Sequence, residues 1–383
     1  MSRRLGGGFW PSATQRALLE VALGPTEQAA ARWNALQPLD LSTLEPGSFG
    51  LLPLLYERLQ DIEPDEPQLP RLFGTYRSIW YRNQLLVDRL AVLLPLLRER
   101  AGVEPVLVGG MSALLHWYPR LGLRPVPQLE LIVERSAAAD AAKVSTYAGW
   151  RHAWQTATST ILRDDSGRTL VIHRGAPPAL VGPLREDGLK VLRERTVDLG
   201  EVAGSPSVLD AGGELLFACA TGARTTPIQT CQWLVDVHRI LHSPEPPAPE
   251  ELLERTRRVH LMAPVGATLG YLAGIADDDV LEPYLAHFDA EPLGRRDRMA
   301  FTLSGIPGPR LAGTAQVLGI YLQSTADDSP LRAAVGFPRH LQERWGARTL
   351  AEVPLLALRK GLRVAASQPL PAGRNRSASS RGA

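Results

Sequence analysis

Apolar residues recur at helical spacing over the first hundred positions. Spacings of three and four predict three short helices, capped in turn by Ser12, Thr26 and Ser48 and ending near Leu23, Leu36 and Leu59. An acidic, proline-rich stretch over residues 62–70 predicts a loop. The leucine repeat that follows predicts one long amphipathic helix over residues 71–100, bent at Pro95.

After residue 104 the pattern changes to that of short strands. Residues 106–108 form a brief apolar run, and two glycines separate it from a helical pattern over residues 111–118. Alternation predicts further strands over residues 128–133, 152–162 and 169–174, with a helix over 137–147. Asp165, Ser166 and Gly167 predict a hairpin turn before the last strand.

Helical spacing returns beyond residue 200. The predicted helices cover residues 209–222, 228–241, 249–259, 264–275, 280–288, 309–323, 340–345 and 350–364. The sequence therefore predicts an α+β protein with a small mixed sheet between two helical regions. The expected units are residues 1–100 (N-terminal helices), 101–200 (α/β core), 201–366 (C-terminal helices) and 367–383, a tail expected to be disordered because it lacks apolar spacing.

Charge and composition exclude several classes of function. The formal net charge is only +2 and acidic residues alternate with basic ones, so no broad field for nucleic acid is expected. Cys219 and Cys231 are the only cysteines, which favours a reducing cytosol and two buried thiols. The longest strongly apolar stretch, residues 90–97, is too short for a membrane span. We expect a cytoplasmic protein that binds neither nucleic acid nor membrane.

The strand, glycine pair and helix around residue 109 carry the candidate chemistry. Glycines at a helix start let backbone N–H groups approach a phosphate closely. We therefore take Gly109, Gly110, Ser112 and the loop residue Arg124 as candidate nucleotide-binding residues. A glycine pair between strand and helix is also common in ordinary packing, and a loop arginine often pairs with a surface carboxylate.

The order of these elements resembles the core of the DNA polymerase β-type nucleotidyltransferase superfamily. The segments Trp10–Leu19, Leu51–Tyr56, Glu214–Arg224 and Trp233–Asp236 are similar to those of its uncharacterised bacterial branch, in which helices flank the core. The resemblance implies two aspartates one residue apart on the second strand and a third carboxylate on a neighbouring strand. In that arrangement three carboxylates hold two Mg²⁺ ions against the nucleotide phosphates.

The sequence departs from this pattern at each carboxylate position. Gln128 and Glu130 stand at the paired positions, and Val171 stands two residues before His173, where the third carboxylate is expected. Thr221 replaces the histidine of the following helix. Glu130 is thus the one candidate metal ligand of the motif, and it would hold a metal weakly. The nearby Asp164 and Asp165 are expected to serve the hairpin turn instead.

Other polar residues receive structural interpretations. His116 and His173 lie in apolar surroundings and are read as hydrogen-bonded core histidines. Trp233 and Asp236 are one helical turn apart and are expected to brace the C-terminal helices against the sheet.

Three functions remain open from the sequence. The first is a catalytically degenerate nucleotidyltransferase-fold protein that acts as an interaction, scaffold or accessory protein with a protein partner. The second is an active, metal-dependent enzyme that moves a nucleoside monophosphate to a small molecule or peptide, with Mg²⁺ and a nucleoside triphosphate as cofactors in this case alone. The third is a nucleotide-binding module without chemistry. The fold cannot decide among them, because function depends on the site.

Overall fold

A computed structural model describes residues 8–358 except 38, 157, 176–189, 227, 307–311, 326–328 and 346. The N-terminal region contains α1 (Ala13–Leu23), α2 (Thr26–Ala35), α3 (Leu52–Ile62) and α4 (Leu69–Ala101), with 3₁₀ turns at Leu41–Thr43 and Pro46–Leu51. Ser12 caps α1 as expected, through a reciprocal bond with Gln15. The predictions of caps at Thr26 and Ser48 are wrong. Pro25 precedes α2 without a side-chain hydrogen bond, and Ser48 lies buried inside a 3₁₀ turn.

The long helix α4 confirms the expectation from its leucine repeat. It spans 33 residues, contains Pro95, and ends at Gly102 in the left-handed conformation. Its buried stripe includes Leu86, Leu90 and Leu97, and the helix contacts both α6 (Ala138–Ser145) and the strand β2 (Gln128–Val133).

Seven strands form one mixed sheet in the order β3-β4-β5-β2-β1-β7-β6. The strand β1 (Val106–Val108) pairs antiparallel with β2 and parallel with β7 (Ser207–Leu209). On its other side β2 runs parallel to β5 (Thr169–Arg174). The antiparallel strands β3 (Arg151–Gln155) and β4 (Ser159–Arg163) continue the sheet beyond β5, and β6 (Thr196–Asp198) closes the opposite edge.

Three details of the sheet region differ from the sequence interpretation. The expected third strand over residues 152–162 is two strands, because the chain turns back near Thr156, whose backbone N–H bonds to the carbonyl of Ser159. Helix α5 (Gly109–Trp117) begins at the glycine pair rather than after it. Strands β6 and β7 were not expected, because three residues are too few to establish alternation.

The C-terminal region is helical. Its helices are α7 (Ala211–Gly222), α8 (Gln232–Leu241), α9 (Pro249–Arg258), α10 (Met262–Ala276), α11 (Glu282–Asp289), α12 (Arg295–Ser304), α13 (Ala312–Ser324) and α14 (Pro330–Trp345). Helix α12 was not predicted from the sequence, because its first turn is mostly charged and only Ala300 and Phe301 of the helix are buried. The tail expected to be disordered, residues 367–383, lies outside the described residues.

The α+β class is confirmed by this sheet and its flanking helices. Cys219 and Cys231 are buried free thiols, as expected, and burial raises the pKa of each to about 12. Within the described residues, no helix has the length and apolar character needed to cross a bilayer. The division into units at residues 100 and 200 stays a prediction; β7, at Ser207–Leu209, belongs to the same sheet as β1.

Candidate functional site

The glycine pair lies close to two charged side chains. Gly109 has a φ of +70°, and a Cβ atom there would lie 2.9 Å from Oε1 of Glu130. A Cβ on Gly110 would lie 2.5 Å from Nη1 of Arg124. The backbone at the start of α5 therefore packs directly against one acidic and one basic side chain, and the positive φ of Gly109 favours glycine there.

The strand β2 presents Gln128 and Glu130 on one face. The alternate residues Leu129 and Leu131 are fully buried on the other face. Glu130 is paired in register with Val171 of the parallel strand β5, and paired residues of adjacent strands share a face. The structure therefore brings together the three positions at which the resemblance implies carboxylates, and one of them carries a carboxylate.

Glu130 is held by a buried histidine. His173 Nε2 lies 3.1 Å from Glu130 Oε2, and its Nδ1 lies 2.9 Å from the Ser159 hydroxyl. His173 is thus a hydrogen-bonded core histidine, as interpreted. His116 differs from this interpretation. Its Nδ1 atom is buried and has no hydrogen-bond partner among the described residues, and its ring stacks on that of Trp117 at 3.8 Å.

Arg124 belongs to a buried ion pair. Its Nε and Nη2 donate to the two carboxylate oxygens of Asp236 at 2.8 and 2.6 Å. The Tyr118 hydroxyl also donates to Asp236, at 2.7 Å, and Gln232 donates to that hydroxyl at 3.0 Å. The carboxylate partner is therefore buried on α8 rather than at the surface. This ion pair ties α8 to the loop after α5, which is the bracing role expected of Asp236.

Asn83 fixes the loop that carries Arg124. Its side-chain N–H groups donate to the carbonyls of Leu121 and Arg124 at 2.6 and 2.7 Å, and its Oδ1 accepts from Val126 N at 3.2 Å. Sequence reasoning missed this residue. A signal existed, since Asn83 is a polar residue one helical turn before Leu86 on the buried stripe of α4.

Glu214 is a second buried acid that sequence reasoning did not select as a site residue. It lies on α7, is 2% exposed, and accepts a hydrogen bond from the Ser112 hydroxyl. Burial raises the pKa of Glu214 to about 8. Ser112 is itself fully buried, so its hydroxyl serves this contact between α5 and α7.

A cavity of about 1020 Å³ lies beside Glu130 and the start of α5. Its walls come from the first half of α4, the 3₁₀ turn before α3, the start of α5, and helices α7 and α8. Glu130, Gly109, Gly110 and Arg124 line it, together with Arg71 and Arg82 of α4. Gln128, Val171 and Ser112 are not among its lining residues.

The metal-binding capacity around Glu130 is small. Among the described residues, Glu130 belongs to no group of three histidine, cysteine or acidic side chains close enough to share an ion. Asp164 accepts from Arg168 at 2.9 Å and from the backbone of Ser166, which caps the hairpin turn. Asp165 pairs with Arg151 at 2.9 Å. Asp164 therefore serves the turn, as the sequence favours, whereas the side chain of Asp165 contacts the neighbouring strand β3.

A helix that starts at a glycine pair, beside a strand that carries Gln128 and Glu130 on one face, agrees with the nucleotidyltransferase-like core expected from the sequence. The model of the family described as uncharacterised nucleotidyltransferase matches residues 48–276, which include this core and helices on either side of it. The chain therefore belongs to the uncharacterised nucleotidyltransferase family. No curated protein matches the chain.

Proposed function

We propose that this protein is a catalytically degenerate member of its family and acts as an interaction or accessory protein. One observation carries the proposal: the shared face of β2 and β5 bears Gln128, Glu130 and Val171, and the single carboxylate among them is hydrogen-bonded to His173. Two Mg²⁺ ions need several oxygen ligands and compensating negative charge. One engaged carboxylate supplies too little of either. A cytoplasmic location and a bacterial source belong to this proposal.

Val171 is the most informative of the three positions. It is 7% exposed and is surrounded by strands on both sides. An apolar side chain there removes the third ligand and makes the neighbourhood of Glu130 less able to hold a charged cluster. The change is therefore consistent with a site that does not assemble two metal ions.

A second candidate, nucleotide binding without chemistry, is favoured by the cavity. It has a volume suited to a small ligand, and it joins the start of α5 to the arginines Arg71 and Arg82. Guanidinium groups and helix-start N–H groups both bind phosphate oxygens. Gly109 and Gly110 retain their candidate role in this proposal, whereas two N–H groups of Arg124 are already bonded to Asp236.

The decisive experiment measures nucleotide binding and pyrophosphate release with the purified full chain. Each common nucleoside triphosphate is titrated with Mg²⁺, with Mn²⁺ and with a chelator. A degenerate protein releases no pyrophosphate, and its nucleotide affinity is nearly independent of metal. Metal-dependent turnover that Glu130→Gln abolishes, while leaving the fold intact, would show an active enzyme. Asp165→Asn, which removes an exposed hairpin carboxylate, is the matched control.

The same titration separates the accessory protein from the nucleotide-binding module. Arg71→Gln and Arg82→Gln should each weaken any specific nucleotide binding in the cavity, because each removes one cation from its wall. Arg77→Gln is the control on the same helix, since this guanidinium lies over the Phe73 ring and outside the cavity. Absence of nucleotide binding leaves the accessory role. Equal loss in all three variants would indicate nonspecific attraction to α4.

A further inference from the structure

Two histidines and an aspartate converge outside the cavity that contains Glu130. His238 lies in the last turn of α8, His242 follows the helix, and Asp278 precedes the 3₁₀ turn Asp279–Leu281 between α10 and α11. Asp278 Oδ2 lies 3.1 Å from His242 Nε2 and 3.9 Å from His238 Nε2. In the described part of the chain, this is the one group of three such side chains whose ligand atoms all lie within 4.8 Å of one another.

The hydrogen bonds of His242 fix which nitrogen faces the aspartate as an acceptor. Its Nδ1 lies 2.8 Å from the carbonyl oxygen of His238. A carbonyl oxygen can only accept, so Nδ1 carries the hydrogen, and Nε2 of the neutral ring presents a lone pair. That lone pair faces Asp278 Oδ2, which is also an acceptor. Either a second proton on Nε2 or a metal ion must therefore lie between these two atoms.

The carboxylate of Asp278 is oriented in the same manner. Its Oδ1 accepts from the backbone N–H of Val280 at 3.0 Å, which leaves Oδ2 directed at the two imidazoles. Ligands of protein-bound metals are commonly held by such outer hydrogen bonds. Both His242 and Asp278 thus have one polar atom engaged by the backbone and one presented to the cluster.

We propose that His238, His242 and Asp278 bind a divalent transition-metal ion, with Zn²⁺ as the expected ion, through two Nε2 atoms and one carboxylate oxygen. Imidazole and carboxylate are ordinary zinc ligands, and bonds of about 2.0–2.2 Å place tetrahedral ligand atoms roughly 3.3 Å apart. The separations of 3.1 and 3.9 Å bracket this value. The side chains of His242 and Asp278 are 29% and 26% exposed, so an ion can reach them from solvent.

A simple ion pair between protonated His242 and Asp278 is the competing explanation. It leaves the approach of His238 without a role, although the His238 ring stacks on His242 at 3.9 Å. His238 Nε2 also lies 3.9 Å from Asp278 Oδ2, so an ion bound by the other two side chains can contact this ring as well. A metal ion would be bound by all three side chains, whereas a shared proton would involve only His242 and Asp278.

The surroundings leave room for a fourth ligand. His238 and His242 line a second cavity, of about 1610 Å³, which also includes Arg58 and Arg239. Arg239 is paired with Glu57 at 2.7 Å, and Arg58 donates to the carbonyl of Gly24. Three protein ligands leave one tetrahedral position for water. The bound ion would link the end of α8 to the segment between α10 and α11.

The test is a Zn²⁺ titration of the full chain, purified without a histidine tag and treated with a chelator, followed by calorimetry. One ion should bind per chain, and His242→Asn or Asp278→Asn should weaken binding at least about tenfold, the lower bound for loss of a metal-site contact. The asparagine side chain of the second variant would keep an oxygen for the Val280 N–H, so the turn should persist.

The chain provides a matched control in His287. Its Nδ1 contacts the carbonyl of Pro283 at 2.7 Å and its Nε2 contacts Glu250 Oε1 at 3.1 Å, but no third ligand joins them in the described structure. His287→Asn should therefore leave Zn²⁺ affinity and stoichiometry unchanged. Equal loss in this control, wild-type affinity in the two site variants, or no saturable one-to-one binding in the wild type would overturn the proposal.

A second measurement keeps the proposal testable if a variant fails to fold. Co²⁺ added to the wild-type chain should give intense visible d–d absorption, which is typical of four-coordinate sites and is reversed by Zn²⁺. Weak absorption like that of the hydrated ion would overturn the proposal. Neither outcome depends on Glu130 or on any nucleotide, so this test is independent of the proposed function.

Discussion

The polar side chains on the two faces of helix α8 have different surroundings. Successive residues of a helix turn by about 100°, so Gln232 and Asp236 lie on one side and His238 and His242 on the other. The first pair faces the cavity that contains Glu130, and the second faces the larger cavity beyond. One short helix therefore contributes to both candidate sites.

The difference lies in whether the polar groups have protein partners. Asp236 accepts from Arg124 and from Tyr118, which leaves its buried charge compensated within the chain. Asp278 and His242 instead face one another at 3.1 Å, and this contact needs a proton or a metal ion between the two atoms. A satisfied buried network fixes the packing of its elements, whereas a partly exposed cluster of two histidines and an aspartate can still bind a metal ion. The four predictions that follow test this contrast.

The largest effect is expected from breaking the buried ion pair. Asp236→Asn leaves the Arg124 guanidinium buried without a counter-charge, so the free energy of unfolding should fall by about 3–5 kcal/mol. Urea denaturation measures the change. In the double variant Arg124→Met with Asp236→Leu the loss should be much smaller, because no lone charge remains. A loss below about 1 kcal/mol in the single variant would show that the pair does not fix the helix.

Rebuilding the carboxylate cluster should have the next largest effect. The combined change Gln128→Asp, Glu130→Asp and Val171→Asp places like charges side by side on the shared face of β2 and β5. Without metal, the stability should fall by about 1–3 kcal/mol, because one added acid is buried and the charges repel. Millimolar Mg²⁺ should restore part of the loss by binding only the folded state. If Mg²⁺ has no effect on the melting temperature, the face does not form an ion site.

The pH dependence of stability tests the buried Glu214. Its pKa is about 8 in the folded chain against about 4.5 when unfolded, so the folded state holds the proton more tightly. The stabilisation is complete below pH 4.5 and is lost as the pH rises toward 8, with a slope of at most about 1.4 kcal/mol per pH unit.

Glu214→Gln should flatten this part of the profile, because its amide does not titrate. Denaturation at several pH values from 5 to 8 compares the two proteins. An unchanged slope in the variant would mean that the Glu214 carboxyl already ionises near its ordinary pKa when the chain is folded.

The smallest effect is expected on the opposite face of α8 in the absence of metal. His242→Asn removes a partly exposed contact with Asp278, and such pairs contribute about 0–1 kcal/mol. The melting temperature of the chelator-treated variant should therefore stay close to that of the wild type. A large loss without metal would indicate that this face, like the Asp236 face, is held by its own protein contacts.

Much of the fold was predictable because local signals agreed with the tertiary structure. The capping box at Ser12, the leucine repeat of α4 and the alternation of β2 each depend on neighbours a few residues away. The short strands β6 and β7 were not predictable, since each is stabilised by a partner strand rather than by its own pattern. The caps expected at Thr26 and Ser48 failed because residue type alone does not fix where a helix starts.

The residues of the candidate site show the same distinction between local sequence information and tertiary packing. The sequence by itself determined which side chains occupy the motif: Gln128, Glu130 and Val171 are facts of the chain, and so is the family to which their order points. Only the tertiary structure decided that His173 binds Glu130, that Arg124 is committed to Asp236, and that Ser112 bonds to Glu214. The metal cluster at His238 likewise needs Asp278, which lies 36 residues beyond His242. Residue identity and local spacing can be read from the sequence. The partners of a buried polar group depend on packing between distant segments, because burial of such a group is destabilising unless a partner is found there.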